Sequence, residues 1–462
     1  MFEGHIYSQR RQRLMNQMGS GLLLLPGNVD APRNYFSNTY AFRQDSHFLY
    51  FVGLDQPDLW VVMDVDAGEV VLFGDDWTMD DIIWTGPVPS LSERAYRSNI
   101  DSVRPLSALN TYVSSRIKRG QALHFLPPYR MENRMRLLEL TGLSHHQLDA
   151  CVSVPFIKAV VNLRSIKGPE EIEALQEASA IGYEMHMAVL KGAHPGVREQ
   201  DLAGRIEGIA WSKGSGVSFA SILSQKGEVL HGHDHSGVLE KGKLLLCDAG
   251  AESNLHYASD FTRTIPVGGR FNTVQRALYQ LVLDANNRAF ECIRPGVLYR
   301  DVHLEACLVL AEGLKSMGLM KGDMQAAVQS GAHALFMVHG LGHMMGLDVH
   351  DMEDLGEAYV GYDDEIQRSA QFGLRSLRLG RRLQTGFVLT IEPGLYFIPD
   401  LIRKWKAEQI HSDFICYGEV ERFIGTGGIR LEDDVWVGET GAIRLGQNRL
   451  PIHPDEIEAL YR

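Results

Sequence analysis

Four carboxylates and one imidazole, each at a break in an otherwise apolar run, are the residues of this chain best suited to chemistry: Asp248, Asp260, His343, Glu392 and Glu432. They stand in Cys247-Asp-Ala-Gly250, Asp260-Phe-Thr-Arg-Thr264, His339-Gly-Leu-Gly-His343, Ile391-Glu-Pro-Gly-Leu-Tyr396 and Gly428-Ile-Arg-Leu-Glu432. A catalytic zinc ordinarily takes three protein ligands and a water. A carboxylate-rich set of five suits two hard or borderline divalent ions that share bridging carboxylates. The chemistry implied is two-metal hydrolysis.

Each residue also has a plainer reading. Asp248 ends the run Leu244–Cys247, where a buried carboxylate is costly unless it is paired or bound to a cation. Asp260 falls on what reads as the returning strand of a hairpin turning at Ser253-Asn254, which would bring both carboxylates to one end of a sheet. Singly they could be cap or loop residues. His339 and His343 have the spacing of a helical zinc pair, but Gly340, Gly342 and Gly346 disfavour a helix. A glycine-rich loop lets backbone approach a site closely, so one histidine could bind metal while the other meets substrate, with His350 nearby. Glu392 follows Phe387–Ile391 as another charge at a strand end. Strand periodicity puts Arg430 and Glu432 on one face, as a surface ion pair or, given the apolar flanks on both sides, a buried one. His231-Gly-His233-Asp-His235 could be a separate metal site or a solvated turn; His231 is its stronger functional candidate.

These residues need a scaffold. The sequence predicts a helix over 6–18, strands at 22–25, 47–52, 59–65 and 69–73, and helices near 106–118 and 130–141. Asp66-Ala-Gly68 supplies a turn between the last two strands. This is an α/β domain spanning 1–160. Gly168-Pro169-Glu-Glu then opens a long helix with a cap, a proline at the first helical position and two acids at its N-terminus. In 161–462, an α+β catalytic domain, helices are predicted near 198–213, 272–292, 299–317 and 322–329. Strands are predicted at 217–223, 243–251, 255–265, 386–397 and 430–437. Residues 352–385 carry little periodicity and read as a long surface loop.

Composition bounds the partners. At 462 residues the chain exceeds a single core. Its formal net charge of -13 argues against nucleic acid, despite the short basic run Arg375–Arg382. Five cysteines in apolar or helical contexts favour buried thiols in a reducing compartment, the cytoplasm. There is no apolar run long enough for a membrane span and no secretory signal pattern in the first residues.

Taken together, these segments resemble the proline-specific metallopeptidases of the aminopeptidase P and prolidase group, with their pita-bread catalytic domain. The resemblance extends over nearly the whole chain, including Phe42–Gly53 and Ile82-Ile-Trp84. It implies that Asp248 binds one ion, that His343 and Glu392 bind the other, and that Asp260 and Glu432 bridge. It implies substrate-binding or proton-handling roles for His231, His339 and His350, and places Arg430 beside the last bridging glutamate. The ions would be manganese, with zinc or cobalt as substitutes. Trp84 is similar to a tryptophan that reaches a neighbouring subunit's active site, which implies at least a homodimer; the alternative is a core or packing tryptophan. The chain departs from the family in one extra residue between Asp248 and Asp260, in Phe219 where tyrosine is common, and in Ser224-Gln-Lys-Gly-Glu-Val229.

The resemblance implies hydrolysis of Xaa-Pro bonds by a metal-bridging hydroxide, with Glu392 carrying its proton to the leaving nitrogen. Gly373–Gly386 and the insertion between Tyr396 and Gly427 resemble prolidases, where the residue at Arg378 binds the dipeptide carboxylate. The expected activity is an Xaa-Pro dipeptidase. The alternative is an aminopeptidase acting on longer peptides with proline second, and a remoter one is a non-catalytic interaction protein, which would be expected to lose ligands. A methionine aminopeptidase would need no leading domain, and a creatinase-like enzyme would lack the ligand set.

Overall fold

The computed structural model describes residues Met1–Tyr461, which fall into two compact units. Met1–Arg164 with Asp354–Tyr359 forms one; Ser165–Glu353 with the described residues from Val360 onward forms the other.

In the first unit, Leu22–Pro26, Trp60–Asp64 and Glu69–Phe73 form an antiparallel centre, flanked in parallel by Leu123–His124 and Ser102–Arg104. Gly68, at φ 65°, closes the predicted turn. Leu22, Leu24, Val62, Val71 and Phe73 pack with Leu109, Val113, Leu137 and Leu140 from the predicted helices. The strand expected at 47–52 is instead the helix Ser46–Val52. The Asp45 side chain accepts the Phe48 amide at 2.8 Å, and Gly53 ends the helix at φ 73°. All seven residues are buried, so no polar face revealed the period.

In the second unit Gly168 and Pro169 open Pro169–Gly192 as predicted, and the Gly168 amide donates to Glu171 at 3.0 Å. Leu244–Ala249 lies antiparallel between Ile222–Ser224 and Phe261–Pro266. A second sheet joins Val388–Ile391, Asp433–Val437 and Ala442–Arg444; a two-stranded ribbon joins Gly394–Tyr396 to Gly428–Arg430. The strands expected as continuous at 386–397 and 430–437 are therefore each broken. Pro393 lacks an N–H, and there the chain changes partner, with Ile391 opposite Asp433 but Gly394 opposite Arg430. Glu392 and Glu432 sit at the two breaks. Their amides are still satisfied, by Leu341 O at 2.8 Å and Thr262 O at 3.0 Å.

Two further expectations change. Residues 352–385 are not an open surface loop: Leu355, Val360, Tyr362, Leu377, Leu379 and Leu383 are buried. The Arg375–Arg382 run is not uniformly solvated, since Arg381 is buried and donates to Ser165 Oγ at 2.7 Å. Cys247 and Cys307 are buried, whereas Cys151 is exposed. No helix among the described residues is long and apolar enough to cross a membrane.

Candidate active site

A cavity of about 570 Å³ in the second unit is lined by Asp248, Asp260, His343, Glu392 and Glu432, together with His231, His339, His350, Arg378 and Arg430. Trp84 belongs to the other unit and is 82% exposed, which removes the core-packing alternative within one chain.

The hairpin is as expected. Asp248 pairs across from Thr262, and Asp260 directly precedes the returning strand. The hairpin tip lies outside the paired register: Ser253 N donates to Tyr257 O at 2.9 Å and His256 adopts φ 64°. The His339–His343 segment is an irregular loop packed against neighbouring backbone. A Cβ on Gly342 would lie 2.1 Å from Thr390 O, and one on Gly340 would lie 2.6 Å from Leu377 Cα. Glycine is required at both by close approach.

His343 Nδ1–H donates to Met344 O at 3.0 Å, which leaves the Nε2 lone pair free. Nε2 faces Asp260 Oδ2 at 3.5 Å and Glu392 Oε1 at 3.7 Å. Ligating atoms of Asp260, His343 and Glu432 all lie within 4.8 Å of one another. Burial, then repulsion from Glu432 and Asp248, drives the Asp260 carboxyl well above its ordinary range. Burial, then Glu392 and Asp248, does the same to Glu432. Burial raises Glu392 to about 8, against the pull of Arg430. Asp248 Oδ1 and Asp260 Oδ1 are buried with no hydrogen-bond partner among the described residues. Crowded carboxylates with orphaned oxygens, and an imidazole presenting its bare nitrogen, are the donor set that divalent cations satisfy.

The expected Arg430–Glu432 ion pair is not formed. Arg430 Nη2 instead donates to Asp248 Oδ2 at 2.5 Å, while Glu432 Oε2 accepts from Thr262 Oγ1 at 2.7 Å. Arg430 ends the strand Gly428–Arg430 and Glu432 precedes the strand Asp433–Val437, so strict alternation does not carry through. His339 Nδ1–H donates to Gly340 O at 2.7 Å. Its Nε2 accepts from Tyr396 Oη at 2.8 Å, and that hydroxyl accepts from Arg430 Nη1 at 2.8 Å. Burial, followed by Arg430, lowers the His339 pKa to about 3, so the ring is neutral. The His350 ring packs edge-on against His343, with centroids 4.3 Å apart. His231 and His233 both line the cavity; His235 turns away to Leu223 O at 3.1 Å.

Three participants escaped sequence reasoning. Tyr396 links His339 to Arg430, and its signal was its place at the end of the Glu392-Pro-Gly-Leu-Tyr396 segment. Thr262, two residues beyond Asp260 and within the strand Phe261–Pro266, had periodicity as its signal. Glu353 accepts from His350 Nδ1 at 2.6 Å and pairs with Arg378. Nothing in its local sequence set it apart.

Comparison with known proteins agrees with this geometry. The profile of metallopeptidase family M24 matches residues 173–439, and that of the aminopeptidase P N-terminal domain matches residues 7–124. The chain is 30% identical to the Xaa-Pro dipeptidase of Homo sapiens over 98% of this chain and 92% of that protein. It is 30% identical to a probable Xaa-Pro aminopeptidase of Fusarium vanettenii over 97% and 94%. Among solved structures, an Escherichia coli aminopeptidase P variant in complex with substrate superposes with a TM-score of 0.82 at 27% identity, covering 100% of this chain and 98% of that one. Pseudomonas aeruginosa aminopeptidase PepP gives 0.81 at 26% identity, with the same coverage. With this two-domain architecture and this constellation of acids and histidines, the chain belongs to metallopeptidase family M24, within its prolidase and aminopeptidase P group, and is an Xaa-Pro-specific exopeptidase dependent on divalent metal.

Proposed function

We propose that this peptidase acts preferentially on Xaa-Pro dipeptides, and that two divalent ions, manganese for preference, are held by Asp248, Asp260, His343, Glu392 and Glu432. The observation that carries the ligand set is the convergence of four carboxylates and the free Nε2 of His343 on one cavity. When bound, such ions supply a water of lowered pKa and polarise the scissile carbonyl.

The chain's own residues do the rest. Glu392 accepts the proton of the attacking water and delivers it to the proline nitrogen as the C–N bond breaks. That delivery matters because the imide nitrogen carries no hydrogen of its own. His231, His339 and His350 line the cavity where the peptide carbonyl and amine would be held. Arg430 acts as a positioning residue, holding Asp248 directly and His339 through Tyr396.

Arg378 supports the dipeptide preference. It lines the cavity, as Ser376 does, and would offer the carboxylate of a C-terminal proline a charged partner. One observation favours the aminopeptidase reading: Glu353 already pairs with Arg378 and offsets that charge. Comparing kcat/KM for Xaa-Pro with that for Xaa-Pro-Yaa decides between them, and a preference for the tripeptide overturns the dipeptidase reading. Trp84, exposed beside Ile83, supports a homodimer in which it meets the partner copy. Free thiols support a cytoplasmic location.

A further inference from the structure

A second cluster of metal-binding side chains lies apart from the catalytic cavity. His303 and Cys307 are one turn apart on the helix Tyr299–Ser316, on the same face. His333 comes from the short 3-10 turn Ala332–Leu335. All three are buried, at 0%, 0% and 3% exposure, and none lines the catalytic cavity. Their ligating atoms lie within 4.8 Å of one another. His303 Nε2 is 3.5 Å from Cys307 Sγ, and the His303 and His333 rings meet edge-on at 6.2 Å. The Met337 thioether sulfur is 4.0 Å from Cys307 Sγ.

The polar atoms of this cluster are poorly served by the protein. His303 Nδ1 and both ring nitrogens of His333 have no hydrogen-bond partner of ordinary geometry among the described residues. Burial lowers the His333 pKa to about 4, opposed in part by the nearby Val328 backbone. Buried imidazole nitrogens without partners are costly, so three in one place need a reason.

We propose that His303, Cys307 and His333 form a structural site for a soft, thiophilic cation, Zn²⁺ or Cu⁺, with Met337 as a weak additional donor. Thiolate, imidazole and thioether are the donors these ions select over the hard ions suited to a carboxylate cluster. In a tetrahedral zinc site neighbouring ligand atoms are about 3.5 Å apart, given metal–ligand bonds of about 2.0–2.3 Å. The His303–Cys307 pair already has that spacing, and a ligating nitrogen of His333 lies within 4.8 Å of both. On binding, the Cys307 S–H bond breaks, its proton leaves to water, and the sulfur–metal bond forms; nothing is oxidised. The ion would tie the Ala332–Leu335 turn to the helix, six residues ahead of His339.

The test uses the full-length protein and a spectroscopic readout that the sulfur-free catalytic cluster cannot produce. Titration with Co²⁺ should give a thiolate-to-cobalt charge-transfer band whose limiting intensity is that of a single cobalt–thiolate site, however much cobalt the carboxylate cluster also takes up. Cys307→Ser should abolish the band and His333→Gln should weaken it, while Glu432→Gln should leave it intact. Displacement of cobalt by Zn²⁺ or by Cu⁺ then distinguishes the two ions. Absence of a band, as for a buried water or a packing cluster, overturns the proposal, as does a band that survives Cys307→Ser. Should that variant fail to fold, X-ray absorption on zinc-loaded wild type decides. A sulfur neighbour at about 2.3 Å supports the site, and a shell of nitrogen and oxygen alone refutes it.

Discussion

Arg430 and Asp248 are joined by a 2.5 Å hydrogen-bonded ion pair between nearly sealed side chains, 4% and 10% exposed. The arginine takes Oδ2 of Asp248 and leaves Oδ1 without a partner among the described residues. It thus presents a carboxylate to a cation while limiting the repulsion among its neighbours.

Removing that guanidinium strands a buried negative charge. Breaking a buried pair from one side costs about 3–5 kcal/mol. Arg430→Met should lose stability on that order in urea denaturation with chelator present, and manganese should restore part of it. Equal stability of variant and wild type in chelator would show that the pair carries no weight.

Metal dependence has two parts. A chelator should abolish hydrolysis and manganese should recover it, and Glu432→Gln should weaken both bound ions, because this side chain is assigned as a bridge. Thr262→Val removes the 2.7 Å hydrogen bond that orients Glu432. A lost partner of this kind lowers metal affinity by about 10–100-fold. Metal content measured after dialysis checks both variants; two ions retained at full occupancy in Glu432→Gln would refute the bridging role.

Substrate length should depend on Arg378. A charge-assisted hydrogen bond is worth about 1.5–3 kcal/mol. Arg378→Ala should therefore reduce the ratio of kcat/KM for Xaa-Pro over Xaa-Pro-Yaa by roughly ten- to a hundredfold. An unchanged ratio would place the dipeptide carboxylate elsewhere.

Glu353 competes for the same guanidinium. Glu353→Gln should lower KM for Xaa-Pro while affecting the tripeptide less. The hydrogen bond from His350, aided by the charges of His350 and Arg378 and opposed by burial, holds Glu353 at about 2, below its ordinary 4.5. A carboxylate depressed in the folded state stabilises fully above its unfolded pKa and loses that contribution as pH falls through the folded one. The stability gap between wild type and Glu353→Gln should thus shrink as the pH falls from about 4.5 towards 2. A gap that grew on acidification would contradict the assignment.

Trp84, 82% exposed, is the probe of assembly. Trp84→Ala should raise KM while shifting Tm little, and sedimentation should show wild type at least dimeric. A fully active monomer would remove the partner-site role.

The residues that line the candidate site were legible because buried charge is rare and costly. Asp248 after four apolar residues, and Glu392 after Phe387–Ile391, had to be paired or bound to a cation wherever the chain placed them. The Asp248–Asp260 hairpin was legible for a local reason, since a turn and two strands lie within one short stretch. Relationships set by distant segments were not. Arg430 found Asp248 instead of Glu432 because the chain changes sheet partner around Leu431, which no periodicity announces. Ser46–Val52 is a helix because its cap and complete burial override a strand-like composition. Glu353 reached Arg378, and His333 reached Cys307, only through packing of segments far apart in the chain. Local patterns record which groups must be satisfied; the tertiary structure decides which partner satisfies them, because that choice depends on contacts between segments that carry no local trace of one another.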